Sequence, residues 1–129
     1  MYRICKRLKF ESSHRLWDNI LSDEDNYKFF GKCANSPSHG HSYQVFITLE
    51  GNELRNGMLV NFTDIEKIAQ REIIDKFDHR FVNDVMVGLT TAENMSKLFY
   101  DTLKPHFPQV QKVRVWETEN SYAEYEENE

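Results

Sequence analysis

The stretch "HGHSYQVFITLEGN", residues 39–52, decides the architecture. From His41 to Glu50 its side chains alternate. His41, Tyr43, Val45, Ile47 and Leu49 share one parity, Ser42, Gln44, Thr48 and Glu50 the other, and Phe46 is the one exception. Period two over ten residues is the pattern of a strand with one buried face. Gly51-Asn52 then marks a turn. His39 and His41 stand two apart at the strand's entry, so extended geometry sends both imidazoles to the same face.

Outward from this strand, residues 2–14 alternate in the same way. Tyr2, Ile4, Leu8, Phe10, Ser12 and His14 oppose Arg3, Arg7, Lys9 and Glu11. Residues 18–38 are polar, contain Gly31 and Pro37, and show no sustained period, so they read as a long loop, the kind that usually carries function or mobility. From Thr63 to about Phe77 the period becomes helical, with Ile65, Ile68, Ala69, Ile73 and Phe77 on one stripe and Thr63/Glu66 as a capping box. A second helix is expected over Ala92–Leu103, with Met95, Leu98, Phe99 and Leu103 inward and Pro105 closing it. Val113, Val115 and Glu117 define a third strand, and residues 121–126 a fourth. The order ββααββ predicts an α+β fold: a four-stranded antiparallel sheet with two helices on one face.

With 129 residues, 40% of them hydrophobic and 13% aromatic, the chain has the material for one cored domain, expected to span residues 1–129. No apolar run is long enough to span a bilayer, and "MYRICKRLKF" alternates instead of forming an export signal. Its two cysteines, Cys5 and Cys33, are expected to be reduced thiols and the location cytoplasmic. A net charge of −5, with "EYEENE" at the end, argues against nucleic acid as a partner.

His14 ends the first strand on the parity of Phe10. If the first two strands pair, His14, His39 and His41 converge, and three neutral imidazoles around Zn²⁺ leave the fourth position open, the catalytic pattern. The bland alternative is ordinary loop histidines. Cys33, six residues before His39, could be a fourth ligand closing a structural site, an activated thiol, or a loop cysteine without a role. Asp78-His79 offers a carboxylate that can orient an imidazole, although neighbours in an extended segment point apart. Glu117 continues an apolar parity. It is either a solvated strand end or a carboxylate at the bottom of a pocket, able to receive two N–H donors from the guanidine-like edge of a pterin or guanine. Thr90 or Thr91 with Glu93 reads first as a helix cap.

Six stretches in order, "FESSHRL", "CANSPSHGHSY", "GMLVNFTDIEKI", "FDHRFVN", "TTAEN" and "VWETEN", resemble the 6-pyruvoyl-tetrahydropterin synthase family, which includes the bacterial 6-carboxy-tetrahydropterin synthases of the queuosine pathway. The resemblance runs nearly end to end and implies the tunnelling fold, in which three four-stranded sheets join into a barrel and two trimers usually stack. A homo-oligomer, trimer or dimer of trimers, is implied with it.

By resemblance, His14, His39 and His41 hold Zn²⁺, and Cys33 is the catalytic thiol with Asp78 and His79 as the second arm of the proton machinery. Glu117 grips the pterin ring, while Thr91 and Glu93 contact it from a neighbouring subunit. The implied activity is a carbon–oxygen lyase that converts the small molecule 7,8-dihydroneopterin triphosphate to 6-pyruvoyl-tetrahydropterin, with loss of triphosphate. The alternative is the carboxy-forming reaction, which releases acetaldehyde as well. The five-residue spacer between Cys33 and His39, and Asn61, resemble the pyruvoyl-forming branch. A non-catalytic structural zinc module is the rival from another class.

Overall fold

The alternating strand pattern needs a partner for its apolar side, and helices supply it. The computed structural model describes residues 1–127. Strand β1 (Tyr2–His14) pairs antiparallel with β2 (His39–Gly51), β2 with β4 (Val110–Thr118), and β4 with β5 (Ser121–Glu126). A two-residue strand β3 (Arg80–Phe81) runs parallel to β1 at the opposite edge, giving the order β3-β1-β2-β4-β5. The α+β class and helix-covered sheet agree with expectation. The strand count and the ββααββ order do not, because the described residues form five strands and helix α1 (Asp23–Phe30) falls between the first two.

Two causes explain the misses. Two residues cannot display a period, so β3 arises only when the tertiary fold lays it beside Ser12-Ser13. The α1 helix has eight residues and only Asn26 buried, so it has no apolar stripe to read. Its signals are polar: Ser22 Oγ caps the Asp25 N–H, Asp23, Glu24 and Asp25 sit in the first turn, and Lys28 in the last. Asn26 fixes the connection, accepting from the Asp18 N–H at 2.7 Å and donating to the carbonyls of Asp18 and Ser22. The segment read as a loop is thus a capped, pinned helix.

Helices α2 (Phe62–Ala69) and α3 (Asp75–Phe77) are joined without a break through a π-helical turn at Gln70–Ile74. Ile65, Ala69, Ile73 and Phe77 are all buried at four-residue steps. On a pure α-helix each such step rotates the face by about 40°. A wider π turn takes up that drift and keeps Phe77 on the sheet. The cap is Asn61, whose Oδ1 accepts the Thr63 N–H at 2.9 Å, and not the Thr63/Glu66 box. Helix α4 (Ala92–Leu103) has the expected bounds, with Thr91 as its cap.

Leu8 and Phe10 on β1, Tyr43, Val45, Ile47 and Leu49 on β2, and Val113 and Val115 on β4 bury against Ile65, Phe77, Met95, Phe99 and Leu103. Phe10 stacks on Tyr43 with centroids 4.8 Å apart and meets the edge of Phe99 at 6.1 Å. Such aromatic pairs add roughly 0.5–1.5 kcal/mol each beyond the area they bury. This core ends where the histidines begin.

Candidate metal centre and its surroundings

The β1–β2 register runs unbroken from Tyr2↔Gly51 to His14↔His39, with Ser12 opposite His41. Strand pairing therefore carries His14 to the two histidines of "HGH", as the parity argument requires. Their ring centroids are 4.5 Å (His14–His39), 5.0 Å (His14–His41) and 4.9 Å (His39–His41) apart. One nitrogen from each lies within 4.8 Å of the others.

His14 is fully buried, and its Nδ1–H donates to the Thr90 carbonyl at 2.7 Å, which leaves Nε2 as the free lone pair. His14 Nε2, both ring nitrogens of His39, and His41 Nε2 are buried without a hydrogen-bond partner among the described residues. Burial holds the pKa of His14 and of His41 below 6.5, against the opposing pull of the Thr90 carbonyl on His14 and of Glu117 on His41. Converging, unpartnered imidazoles fit a divalent cation of the zinc type, and a second residue orienting His14 is the usual support for such a ligand. Among the described residues the group close enough to share an ion contains no cysteine or carboxylate, so Cys33 stands outside it.

Cys33 lies in a 3₁₀ turn, Gly31–Ala34, half-buried, and its carbonyl accepts the Leu16 N–H at 2.8 Å. Arg15 Nε donates to the Ala34 carbonyl at 2.7 Å, tying the turn to the end of β1. The thiol is near enough to act electrostatically on the Tyr43 phenol, whose pKa burial drives far upward. Glu117 lies 28% exposed with its carboxylate 3.4 Å from His41 Nε2, so it faces the histidines and is not a freely solvated strand end.

Asp78 and His79 do hydrogen-bond, despite being sequence neighbours. His79 adopts a left-handed backbone with φ 57°, which turns its ring back to Asp78 and brings Nδ1 within 2.9 Å of Oδ2. Asp78 Oδ1 accepts the Glu11 N–H at 2.8 Å, the His79 N–H donates to the Glu11 carbonyl, and Ser12 Oγ donates to the Phe77 carbonyl. The hydrogen bond from the Glu11 amide is the main reason the Asp78 carboxyl stays below its ordinary range. The imidazole itself is 78% exposed at the sheet edge, and no hydrogen bond or ion pair among the described residues joins it to Cys33.

Thr91 spends its hydroxyl capping α4, accepting from the Asn94 N–H at 3.2 Å, and the Glu93 side chain is exposed. Among the described residues no hydrogen bond or ion pair joins either to the histidines. Thr90 and Asn83, which sequence reasoning passed over as site residues, do the supporting work. Asn83 accepts from the Arg15 N–H at 2.9 Å and donates to the Arg15 carbonyl at 2.7 Å, fixing the chain just past His14. Two polar residues in "FVND" and "LTT" inside apolar context were the available signal.

Known proteins share this sequence and fold. The 6-pyruvoyl tetrahydropterin synthase family model matches residues 3–128. The human 6-pyruvoyl tetrahydrobiopterin synthase is 35% identical over 95% of this chain and 90% of its own length. The 6-carboxy-5,6,7,8-tetrahydropterin synthase of Haemophilus influenzae is 29% identical over 98% of this chain and 100% of its own. The solved 6-pyruvoyl tetrahydropterin synthase of Caenorhabditis elegans superposes with a TM-score of 0.92 at 27% identity, covering 98% of this chain and 96% of that one. A match over residues 3–128, with a relative 35% identical over nearly the whole chain, leaves one conclusion: the chain belongs to the 6-pyruvoyl tetrahydropterin synthase family and is a pterin synthase.

Proposed function

We propose that this enzyme is a zinc-dependent lyase that takes 7,8-dihydroneopterin triphosphate to 6-pyruvoyl-tetrahydropterin with elimination of triphosphate. The observation that carries the reading is the buried set of unpartnered imidazole nitrogens on His14, His39 and His41, oriented by Thr90 and excluding Cys33. A closed structural site would need a fourth protein ligand. Zn²⁺ held by these histidines would supply Lewis-acid polarisation of the substrate's side-chain hydroxyls.

The remaining roles belong to side chains. Glu117, half-buried beside the cluster, accepts two N–H donors from the pterin ring edge. Cys33, left free by the ligand set, takes a proton from the substrate side chain as its thiolate. His79, with Nδ1 donating to Asp78, keeps Nε2 available as the second proton carrier. No hydrogen bond or ion pair among the described residues joins Cys33 to His79 within one chain. This supports a site completed between copies in a trimer or dimer of trimers, to which Thr91 and Glu93 contribute from the neighbour. Residues 1–129 act as one domain in this assembly.

For the product, the five-residue spacer between Cys33 and His39 and the greater identity to the relative named for the pyruvoyl product favour that branch. Asn61 carries less weight, since capping α2 accounts for it. Incubation of the zinc-loaded protein with 7,8-dihydroneopterin triphosphate and identification of the products by mass tests the reading. Triphosphate with the pyruvoyl product is expected. Acetaldehyde release would assign the carboxy-forming reaction instead, and absence of turnover would overturn both.

A further inference from the structure

Among the described residues, five buried side-chain polar atoms have no hydrogen-bond partner. Four are imidazole nitrogens of the metal centre, and the fifth is the hydroxyl of Tyr43. A buried hydroxyl left unpaired costs about 1–3 kcal/mol, and one that persists beside a site calls for a reason.

Packing does not supply the reason. Tyr43 is 0% exposed, its ring stacked on Phe10 at an interplanar angle of 14°. Its ring meets His41 edge-on at 5.5 Å and His14 at 6.0 Å. A phenylalanine would make each of these contacts. The ring is locked by that stack and by the pairing of Tyr43 with Phe10 across β1 and β2, so the hydroxyl cannot swing toward another partner. Glu117 and Cys33 are the charged or ionisable groups whose fields reach it, yet it is hydrogen-bonded to neither. The unpaired phenol therefore belongs to a ring that borders His14 and His41, within the electrostatic reach of Glu117 and Cys33.

We propose that Tyr43 Oη donates a hydrogen bond to an oxygen on the 6-side chain of the bound pterin. This inference rests on the pterin reading and deepens it. Glu117 would hold the ring edge, and Tyr43 would select for a hydroxylated or keto side chain against an alkyl one. The selection follows because an alkyl group leaves the buried donor unpaired. Sites built around such a donor reject the analogue lacking its acceptor more strongly than an apolar pocket rejects a missing methylene.

The test compares the zinc-loaded full chain with its Tyr43→Phe variant by calorimetric titration with two probes. Neopterin carries a hydroxylated 6-side chain, and 6-methylpterin does not. Wild type is expected to prefer neopterin. Tyr43→Phe should lose about tenfold in neopterin affinity, as expected for one hydrogen bond, with 6-methylpterin unchanged. Zinc content should match wild type, and the unfolding midpoint should equal or exceed it, because the variant sheds an unpaired buried hydroxyl. Equal changes for both probes, or none, would reduce Tyr43 to a core residue and overturn the proposal. Loss of zinc in the variant would also overturn it, by placing the hydroxyl's effect on the metal centre. Failure of wild type to bind either pterin would overturn the pterin reading itself, and this proposal with it.

Discussion

His14 is anchored at one end of its ring and open at the other: Nδ1 donates to the Thr90 carbonyl at 2.7 Å, while Nε2 is left buried and unpaired beside His39 and His41. The carbonyl comes from the residue just before the α4 cap. The helix start and the ligand geometry are thus one construction.

Removing one imidazole should remove the ion. His39→Ala is expected to reduce bound zinc to a small fraction of one equivalent, measured by atomic emission after dialysis, while the far-ultraviolet spectrum stays native. Full zinc retention would place the metal elsewhere.

Loosening the support should weaken the metal without deleting a ligand. Asn83→Ala removes two hydrogen bonds to Arg15, next to His14. The expected cost is about 2 kcal/mol in denaturant unfolding. Zinc affinity should fall roughly tenfold in chelator competition, in line with losses of orienting residues elsewhere.

Cys33 lies outside the ion-sharing group. Cys33→Ala is therefore expected to abolish turnover and leave zinc stoichiometry at the wild-type value. Zinc loss in this variant would make Cys33 a ligand.

Asp78→Asn leaves one acceptor oxygen where the carboxylate had two, so it cannot accept from both the Glu11 amide and His79 Nδ1, and it removes the negative charge. Turnover should fall about a hundredfold, the lower range for loss of general acid–base function. His79→Asn tolerates the left-handed backbone better than His79→Ala, so it should inactivate while unfolding closer to wild type. Thermal denaturation beside steady-state kinetics separates the two effects.

The metal-free protein should lose stability as pH falls below 6.5. His14 and His41 are depressed from that value by burial, so below it the unfolded chain binds protons that the native state refuses. Native stability is therefore full above 6.5 and declines until the pH reaches the native values. The urea midpoint of the apo-protein should drop between pH 7.5 and 5.5, and less so in a His14→Gln/His41→Gln variant. A midpoint insensitive to pH would mean that these rings are not buried in the apo state.

Much of the site could be read from the chain because strands convert parity into facing. "HGHSY" fixes that His39, His41 and Tyr43 share a side, and Phe10 and His14 do the same on β1. Helix α4 was equally legible, its stripe being long and its cap and Pro105 unambiguous. The polar residues of α1 showed nothing, since a helix held by Ser22 and Asn26 has no apolar period. Asp78-His79 reads as two side chains pointing apart, because the sequence does not reveal the left-handed turn that folds one neighbour onto the other. That turn depends on hydrogen bonds to Glu11 and Ser12, which are 67 and 65 residues away from their partners.

The sequence by itself determined the faces: which residues point at the core, which three histidines share a side, and that a carboxylate at 117 lies on the buried parity. Tertiary structure alone decided the partners. It chose the β1–β2 register that sets His14 opposite His39, the Thr90 carbonyl that orients His14, and the exclusion of Cys33 from the ion-sharing group. The physical reason is range. Periodicity reports each residue's own direction, whereas a hydrogen-bond partner or a shared ion depends on where distant backbone is brought.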